Sequence, residues 1–555
     1  MTASGGALNL CAACKPPWLL LGGAGVSLAL FSLAVAMFWT LWTAAGGQGT
    51  FELDVQHIGA ILWFTLFQAG ASMLISVALG LILAWSISHQ RQFPGRRQLI
   101  ALMSLSMVLP TLVVVLGLIT VLGRRGWFNQ LIAEAGVSGI GGVIYGLGGI
   151  LIAHAFMNAP FVARLLLQRF DAVPIEKLKL GRSLAFSPWQ RFRFIEWPAI
   201  SSSLPVLCVT VFLLCFTSFA VVLTLGGSPR FNTLEVAIYE AIKLEFDIQQ
   251  AIALSMVQLS VCGVLVIAAS MLRSQDRSLS ILPGRIPWPE PRPLRLAQLA
   301  LILIFMLAYL SPLLAVVLDG LRADFTGLLA QPTFVQSIIT SLVLAALSSI
   351  LTLAIAVPIC GAKQRLVSPQ YSRQAKFVPA KLAPVLTSLL TVSGTIYLAV
   401  PSLVMALGFF LIARRLASDV YVFAPVALLL ANVLMALPFA LVILYPAVHK
   451  AGLKHDRLAI SLGLSGISRW RLVDYPAIRA EIGFVAALSF CFSFGDLGVI
   501  SVFGNRDFST LPWLLYQNMG SYRTTEAAGI ALVLLFFTFL VFFLAPRLFA
   551  DKADA

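Results

Sequence analysis

Long apolar runs, separated by short polar stretches, dominate the hydrophobic pattern of this chain. A membrane-spanning helix needs about 20 consecutive, mostly apolar residues, and twelve runs reach that length. They occupy residues 18–45, 59–87, 98–122, 143–168, 200–224, 248–272, 297–319, 335–361, 384–413, 421–446, 479–503 and 525–549. The first run is too long to be the apolar region of a cleaved signal, so it counts as a span. The pattern predicts an all-α polytopic membrane protein with twelve transmembrane helices.

Composition and charge placement agree with a membrane protein. The 555 residues are 59% hydrophobic and 11% charged, whereas soluble proteins carry about 25% charged residues. The net charge of +15 could suggest nucleic acid, but most lysines and arginines fall on one side of the predicted membrane. Because cytoplasmic loops carry the excess of basic residues, this asymmetry predicts that both termini are cytoplasmic. The expected environment is the lipid bilayer, and no nucleic-acid partner is predicted.

A long segment of the chain occurs twice without a gap. Residues 160–200 recur as residues 438–478, and each copy ends in Arg-x-Arg, an acid, an aromatic residue and Pro-Ala-Ile. In each copy a helical segment, at about residues 172–187 and 450–465, precedes that ending. Paired positions include Pro160 and Pro438, Phe161 and Phe439, Leu180 and Leu458, Ser183 and Ser461, Leu184 and Leu462, Ser187 and Ser465, Arg191 and Arg469. Internal repetition of this kind predicts a duplicated membrane fold.

The repeat divides the chain into two halves. We predict a first repeat over residues 1–272 with a cytoplasmic loop at 170–198, and a second over 297–555 with its loop at 447–476. Residues 273–296 contain five arginines and five prolines, and the last four prolines stand at every second position from Pro287 to Pro293, which favours an extended linker. Six spans in each half give both repeats the same orientation in the membrane, so they are parallel.

Small residues mark the helical part of both repeated loops. They are Gly181, Ser183, Ala185 and Ser187 in the first loop, and Ala459, Ser461, Gly463 and Ser465 in the second. Small side chains let a partner backbone approach closely, which points to a protein partner. The arginines, with Trp197 and Tyr475, also fit a simpler interpretation, in which the loops are anchored at an anionic lipid surface.

Sequence signatures of catalysis are missing. A phosphate-binding P-loop requires Gly-Lys, and this dipeptide does not occur in the chain. The pair Cys11 and Cys14 has no second pair or neighbouring histidine to complete the roughly four ligands of a zinc site. We therefore expect a protein that is not an enzyme, with no catalytic residue, no metal site and no cofactor bound by this chain.

Asp496 is a carboxylate within the eleventh predicted span, and Ser218 holds the corresponding place in the first half. Ionisable residues in spans are costly, at roughly 2.5–3.5 kcal/mol, and usually face the bundle interior or water. One interpretation places Asp496 and Ser218 on a substrate pathway, where the carboxylate attracts a cationic substrate. The other makes Asp496 a hydrogen-bond acceptor that caps nearby backbone.

The second loop resembles that of a known family. Leu-Ala-Ile-Ser-Leu-Gly-Leu-Ser at residues 458–465, with its distant Pro476, resembles the EAA loop of binding-protein-dependent ABC importer permeases. The resemblance implies a type I ABC importer fold in which each loop docks into a cleft of a separate ATPase subunit. It implies two copies of that subunit, which hydrolyse ATP, and a periplasmic substrate-binding protein. The implied ATPase-coupling residues are the eight small loop residues and Arg182, although Ala185 replaces the family's loop glycine in the first half.

Shorter stretches resemble the thiamine-importing branch of this family. They are Phe93-Pro-Gly-Arg, Gly123-Arg-Arg-Gly-Trp, Phe194-Ile-Glu-Trp-Pro, Thr233-Leu-Glu-Val-Ala-Ile-Tyr, Phe503-Gly-Asn-Arg-Asp-Phe-Ser-Thr-Leu-Pro and Gly520-Ser-Tyr-Arg. The resemblance implies thiamine, with its phosphates as an open possibility, as the cargo of a bacterial inner-membrane importer. Fused ferric-iron permeases share the architecture and remain an alternative. A twelve-span secondary transporter is a further alternative, which would need ion-coupling carboxylates or a broken helix in its spans.

Overall fold

The computed structural model describes most of the chain. The described residues are 18–45, 54–134, 136, 142–227, 229–271, 288, 290–367, 382–416, 420–464, 466–505 and 507–549. Every regular element in these ranges is helical. Cys11 and Cys14 lie outside the described residues, and so does most of the predicted linker.

Fourteen α-helices lie among the described residues up to Leu321. They are α1 (Trp18–Ala45), α2 (Val55–His89), α3 (Arg96–Leu105), α4 (Thr111–Leu122), α5 (Trp127–Glu134), α6 (Leu147–Asp171), α7 (Ile175–Ser183), α8 (Pro188–Arg191), α9 (Trp197–Ser201), α10 (Leu204–Phe216), α11 (Ala220–Leu225), α12 (Leu234–Lys243), α13 (Ile248–Met271) and α14 (Arg292–Leu321). Helix α14 begins inside the predicted linker, because Pro291 and Pro293 suit the N-terminal end of a helix.

Ten more α-helices follow among the described residues. They are α15 (Phe325–Leu329), α16 (Pro332–Val367), α17 (Leu382–Thr395), α18 (Ser402–Leu416), α19 (Ala424–Ser461), α20 (Gly466–Arg469), α21 (Tyr475–Phe494), α22 (Gly498–Phe503), α23 (Leu511–Gly520) and α24 (Thr524–Phe549). Single turns of 3₁₀-helix lie at Ile396–Ala399 and Val420–Phe423, and single turns of π-helix at Phe192–Glu196 and Trp470–Asp474.

The helices confirm the all-α polytopic class. Eleven helical stretches among the described residues are long and apolar enough to cross a membrane. A twelfth is added if Pro188–Ser201 and Leu204–Phe216, which meet at a bend of 60°, form one span. The protein is therefore a multi-pass membrane protein with about the number of spans that the apolar runs predict.

Four predicted spans are broken rather than continuous. The third span is interrupted before Pro110 and the ninth before Pro401, because proline has no backbone N–H and restricts the residue that precedes it. The fifth and eleventh spans break at one equivalent point of the repeat. Helix α10 stops at Phe216 and α11 starts at Ala220, just as α21 stops at Phe494 and α22 starts at Gly498. Hydropathy alone hides these breaks, since the residues around them stay apolar.

The compact units of the structure do not follow the two sequence halves. One unit contains Ala45–Ile338 and Gly495–Thr538; the other contains Met1–Ala44, Ile339–Phe494 and Phe539–Ala555. The unit that contains most of the first half also takes α14 and residues 495–538 of the second half. The other unit combines most of α1 with the larger part of the second half. The division into two sequence repeats stays a prediction, because a repeat in sequence need not coincide with a unit of packing.

In each unit, a glycine packs closely against the helix that comes from the other sequence half. The two glycines stand at corresponding places of the repeat. In one unit, a Cβ on Gly117 of α4 would lie 2.5 Å from the carbonyl oxygen of Pro312 in α14. In the other, a Cβ on Gly408 of α18 would lie 2.9 Å from the Met37 side chain in α1. Both glycines follow the sequence Pro-Thr or Pro-Ser by the same number of residues. At Gly117 the facing atom is backbone, so a Cβ would force the two helices apart, whereas at Gly408 the end of the Met37 side chain could move aside.

Candidate coupling loops and pathway residues

The helical part of each repeated loop begins differently. In the first loop α6 ends at Asp171, and Pro174 stands immediately before α7. The second loop has Gly452 in the place of Pro174, and α19 continues without a break to Ser461. Proline removes a backbone donor inside a helix, whereas glycine does not. The helix is therefore interrupted at Pro174 in the first loop and continues through Gly452 in the second. The helix predicted at about 450–465 is thus the end of a longer helix.

Both loop helices end in the same left-handed turn. The residue after the last turn has positive φ in each case, 50° at Ala185 and 65° at Gly463. The backbone N–H of Phe186 donates to the carbonyl of Gly181 at 3.0 Å, and that of Leu464 donates to Ala459 at 2.9 Å. These bonds are those of a Schellman cap. A Cβ on Gly463 would meet nothing within 4 Å, so backbone conformation explains this glycine.

Beyond the cap, each loop contains one turn of π-helix that is bridged by an ion pair. The turns Phe192–Glu196 and Trp470–Asp474 are equivalent in the repeat. Arg191 Nε lies 2.7 Å from Glu196 Oε1, and Arg469 Nε lies 3.1 Å from Asp474 Oδ2. Both arginine side chains are buried. An isolated π turn is rare and tends to mark a functional site, so its presence in both copies singles out this part of the loops.

Both loops expose large apolar side chains. Eight of them, in four equivalent pairs, are between 58% and 68% exposed. The pairs are Leu180 and Leu458, Leu184 and Leu462, Trp189 and Ile467, and Phe194 and Leu472. We call these eight side chains the exposed apolar set. Exposed apolar patches mark interaction sites, and this patch is duplicated with the loop.

The exposed apolar set was not predicted from the sequence, whose small loop residues were expected to meet the partner instead. Gly181 and Ala459 are buried, whereas Arg182, Ser183, Ala185, Ser187, Ser461 and Gly463 are exposed. The Ser183 hydroxyl donates to the Leu180 carbonyl at 2.8 Å, as the Ser461 hydroxyl does to the Leu458 carbonyl. Ser465 lies outside the described residues. The sequence did contain a signal for the exposed apolar set, because Leu180 and Leu458 occupy the same place of the repeat on helical segments that are otherwise mostly polar.

Ser187 has a structural role in the first loop. Its hydroxyl accepts a hydrogen bond from the backbone N–H of Gln190 at 3.3 Å, and the Gln190 side chain accepts from the Ser187 N–H at 2.8 Å. This reciprocal pair is a capping box, which fixes the start of α8. The assignment of Ser187 and the other small residues to ATPase coupling stays a prediction.

The pathway candidates Asp496 and Ser218 lie at the two equivalent helix breaks. Ser218 follows α10, and Asp496 follows α21. The Asp496 carboxylate accepts hydrogen bonds from the N–H groups of Gly498 at 3.2 Å and Val499 at 3.3 Å. It therefore caps the N-terminal end of α22, as the alternative interpretation expects. Broken helices are also where membrane transporters place binding sites, so the position does not exclude a pathway role.

Comparison with known proteins places the chain in one class. Residues 76–279 match the family described as the inner membrane component of binding-protein-dependent transport systems. These residues include the first repeated loop and both parts of the fifth span. The class is that of membrane permeases of binding-protein-dependent transport systems, as the repeated loops imply.

Similar proteins match over nearly the full length. A thiamine transport system permease protein of Escherichia coli (strain K12) is 35% identical over 546 residues, which are 96% of this chain and 97% of that protein. The protein of the same description in Brucella abortus (strain 2308) is 35% identical over 96% of both chains. That of Haemophilus influenzae is 33% identical over 95% of this chain and 93% of its own. The chain belongs to the family of thiamine transport system permease proteins.

Proposed function

We propose that this chain is the transmembrane permease subunit of an ATP-driven importer for thiamine in a bacterial inner membrane. It forms the translocation pathway, works with a periplasmic substrate-binding protein, and is joined by two copies of an ABC ATPase subunit. Both termini are cytoplasmic. The observation that carries the proposal is full-length similarity to thiamine permeases in a chain that has two structurally equivalent loops.

The two repeated loops are the coupling elements in this proposal. The exposed apolar set of each loop docks into one ATPase subunit, because its large apolar side chains would be desolvated in a cleft. The buried arginine–carboxylate pairs keep each π turn rigid, so a displacement of the ATPase reaches the next membrane helix. When ATP closes the ATPase pair, the loops move and the pathway changes the side on which it is open.

Hydrolysis of ATP belongs to the partner subunits. The chain lacks the Gly-Lys of a P-loop, so we expect the purified chain to bind neither nucleotide nor any other cofactor. Equilibrium binding of labelled ATP to the chain without ATPase subunits tests this. Saturable binding by a preparation free of contaminating ATPase would contradict it.

Substrate identity is tested with the assembled system. Permease, ATPase and binding protein are reconstituted in proteoliposomes, and ATP hydrolysis and uptake are measured with thiamine, thiamine monophosphate and ferric iron. We expect thiamine to stimulate both activities. Stimulation by iron would instead support the ferric-iron alternative. Uptake driven by an ion gradient without ATPase subunits would support a secondary transporter.

A further inference from the structure

The buried arginine of each repeated loop is held by two carboxylates. In the second loop, Arg469 pairs with Asp474 of the π turn and with Asp456 of α19. The Arg469 and Asp456 side chains are 9% and 3% exposed. A buried guanidinium that loses a partner is strongly destabilising, so the second acid matters. Both acids in this case come from the loop and the helix that leads into it.

The first loop lacks the second of these acids. The place of Asp456 is taken by Leu178, which is buried and packs with Val173 and Ile195. A leucine there cannot pair with Arg191. The loop's own sequence therefore supplies Arg191 with Glu196 and leaves the second carboxylate to come from elsewhere.

That carboxylate comes from the predicted linker between the two halves. Glu290 Oε1 lies 2.8 Å from Arg191 Nη1 and 3.4 Å from Nδ1 of His89, whose Nε2 lies 2.7 Å from Glu196. The His89, Glu196 and Glu290 side chains are 1%, 4% and 7% exposed. Glu290 thus closes a buried network that joins α2, the first loop and the linker residues directly before α14.

Trp288 adds a second contact between the linker and the first loop. Its ring lies beneath the Arg191 guanidinium, 5.0 Å from Cζ to the ring centroid. The same indole packs against Gly181, where an added Cβ would lie 3.2 Å from the ring. An arginine above tryptophan is a favourable cation–π arrangement. Gly181, expected from sequence to face a partner, therefore faces Ile195, Phe186 and this tryptophan.

We propose that Glu290 is a positioning residue for the first coupling loop and does for Arg191 what Asp456 does for Arg469. The inference rests on the coupling role assigned to the loops under the proposed function. The linker then does more than connect two halves, because it completes the loop on which the first ATPase subunit docks. The second loop needs no such contribution.

The first test measures the loop itself, without an ATPase. Amide hydrogen exchange is followed in the purified full-length chain in lipid nanodiscs, over residues 188–196, with residues 466–474 as the internal reference. We expect Glu290→Gln to speed exchange in the first loop by about tenfold, the effect of losing a charged hydrogen bond. The second loop should not change, and Glu290→Asp should stay close to the parent. Unchanged exchange in Glu290→Gln overturns the proposal.

A transplanted acid tests whether the lost charge is the cause. Leu178→Asp places a carboxylate where the second loop has Asp456, so the double variant with Glu290→Gln should regain slow exchange. Leu178→Asn in the same background is the matched control and should not rescue. Leu178→Asp alone shows whether the site accepts an acid. The proposal is overturned if asparagine rescues as well as aspartate, or if Glu290→Asp exchanges as fast as Glu290→Gln.

The coupling role is measured separately. The same variants are assembled with the ATPase and binding protein, and the ATP hydrolysed per substrate imported is determined. We expect this ratio to rise several-fold in Glu290→Gln and to return in the double variant with Leu178→Asp. If exchange responds while the ratio stays constant, Glu290 does position the loop, and the coupling function proposed for that loop is wrong.

Discussion

The two repeated loops share one local design and differ in how it is supported. Both end their helix in a left-handed turn, and both bridge a π turn with an arginine–carboxylate pair. The second loop is an extension of the continuous α19 and contains both acids that hold Arg469. The first loop has a helix break at Pro174, and its second carboxylate, Glu290, comes from the linker. A motif can thus be duplicated faithfully while the contacts that stabilise it come from different parts of the chain.

The largest expected effect is loss of the buried arginine. Arg469→Gln would remove the buried cation that pairs with Asp456 and Asp474 and leave them with the neighbouring Arg365. Arg191→Gln would likewise remove the guanidinium from Glu196 and Glu290 and leave them with His89. Each should lower the free energy of unfolding by about 3–5 kcal/mol. Thermal unfolding in detergent, with the exposed neighbours Arg471→Gln and Arg193→Gln as controls, checks this. If the variant of either buried arginine is as stable as its control, that arginine does not stabilise its loop by pairing with the two carboxylates.

Charges in the exposed apolar set should affect docking more than folding. Leu462→Glu and Leu184→Glu change side chains that are 64% and 58% exposed, so the folded chain should lose less than about 0.5 kcal/mol. If they are docking residues, the free energy of ATPase binding should weaken by about 2 kcal/mol, which is roughly thirtyfold in affinity. Less ATPase should then be retained on the membrane. Leu462→Met and Leu184→Met are the matched apolar controls. Full retention with glutamate at either position would remove that loop from the proposed interface.

The fold was more predictable from sequence than the coupling site. Apolar runs are read directly from composition, so the class and the number of spans follow from them. The breaks at Ser218 and Asp496 escape such reasoning, because their neighbours are apolar on both sides. The role of Glu290 was also hidden, since it depends on tertiary contacts between residues 99 positions apart. Gly463 was expected from the sequence to admit a partner backbone, and its positive φ adds a conformational reason for glycine at this place.

The helix breaks offer a similar comparison, between Asp496 and Ser218. Asp496→Asn keeps an oxygen that can cap α22 but removes the charge, whereas Asp496→Ala removes both. We expect Asp496→Ala to cost about 1 kcal/mol of stability and Asp496→Asn only a few tenths. If the carboxylate attracts a cation on the pathway, Asp496→Asn should also reduce thiamine uptake. Normal uptake in Asp496→Asn would leave only the capping role.

The smallest expected effect concerns the paired left-handed residues, Ala185 and Gly463. A residue with a Cβ is strained by about 1–2 kcal/mol at positive φ. The first loop already carries that strain at Ala185. Ala185→Gly should therefore raise thermal stability by up to about 1 kcal/mol, and Gly463→Ala should lower it by a similar amount. Uptake should stay normal in both, because a Cβ on Gly463 would meet nothing within 4 Å. The exchanged double variant should be close to the parent in stability, since the two sites lie in separate loops. If Gly463→Ala instead abolished uptake at unchanged stability, the glycine would be needed for a partner's close approach, and the two loops would dock differently.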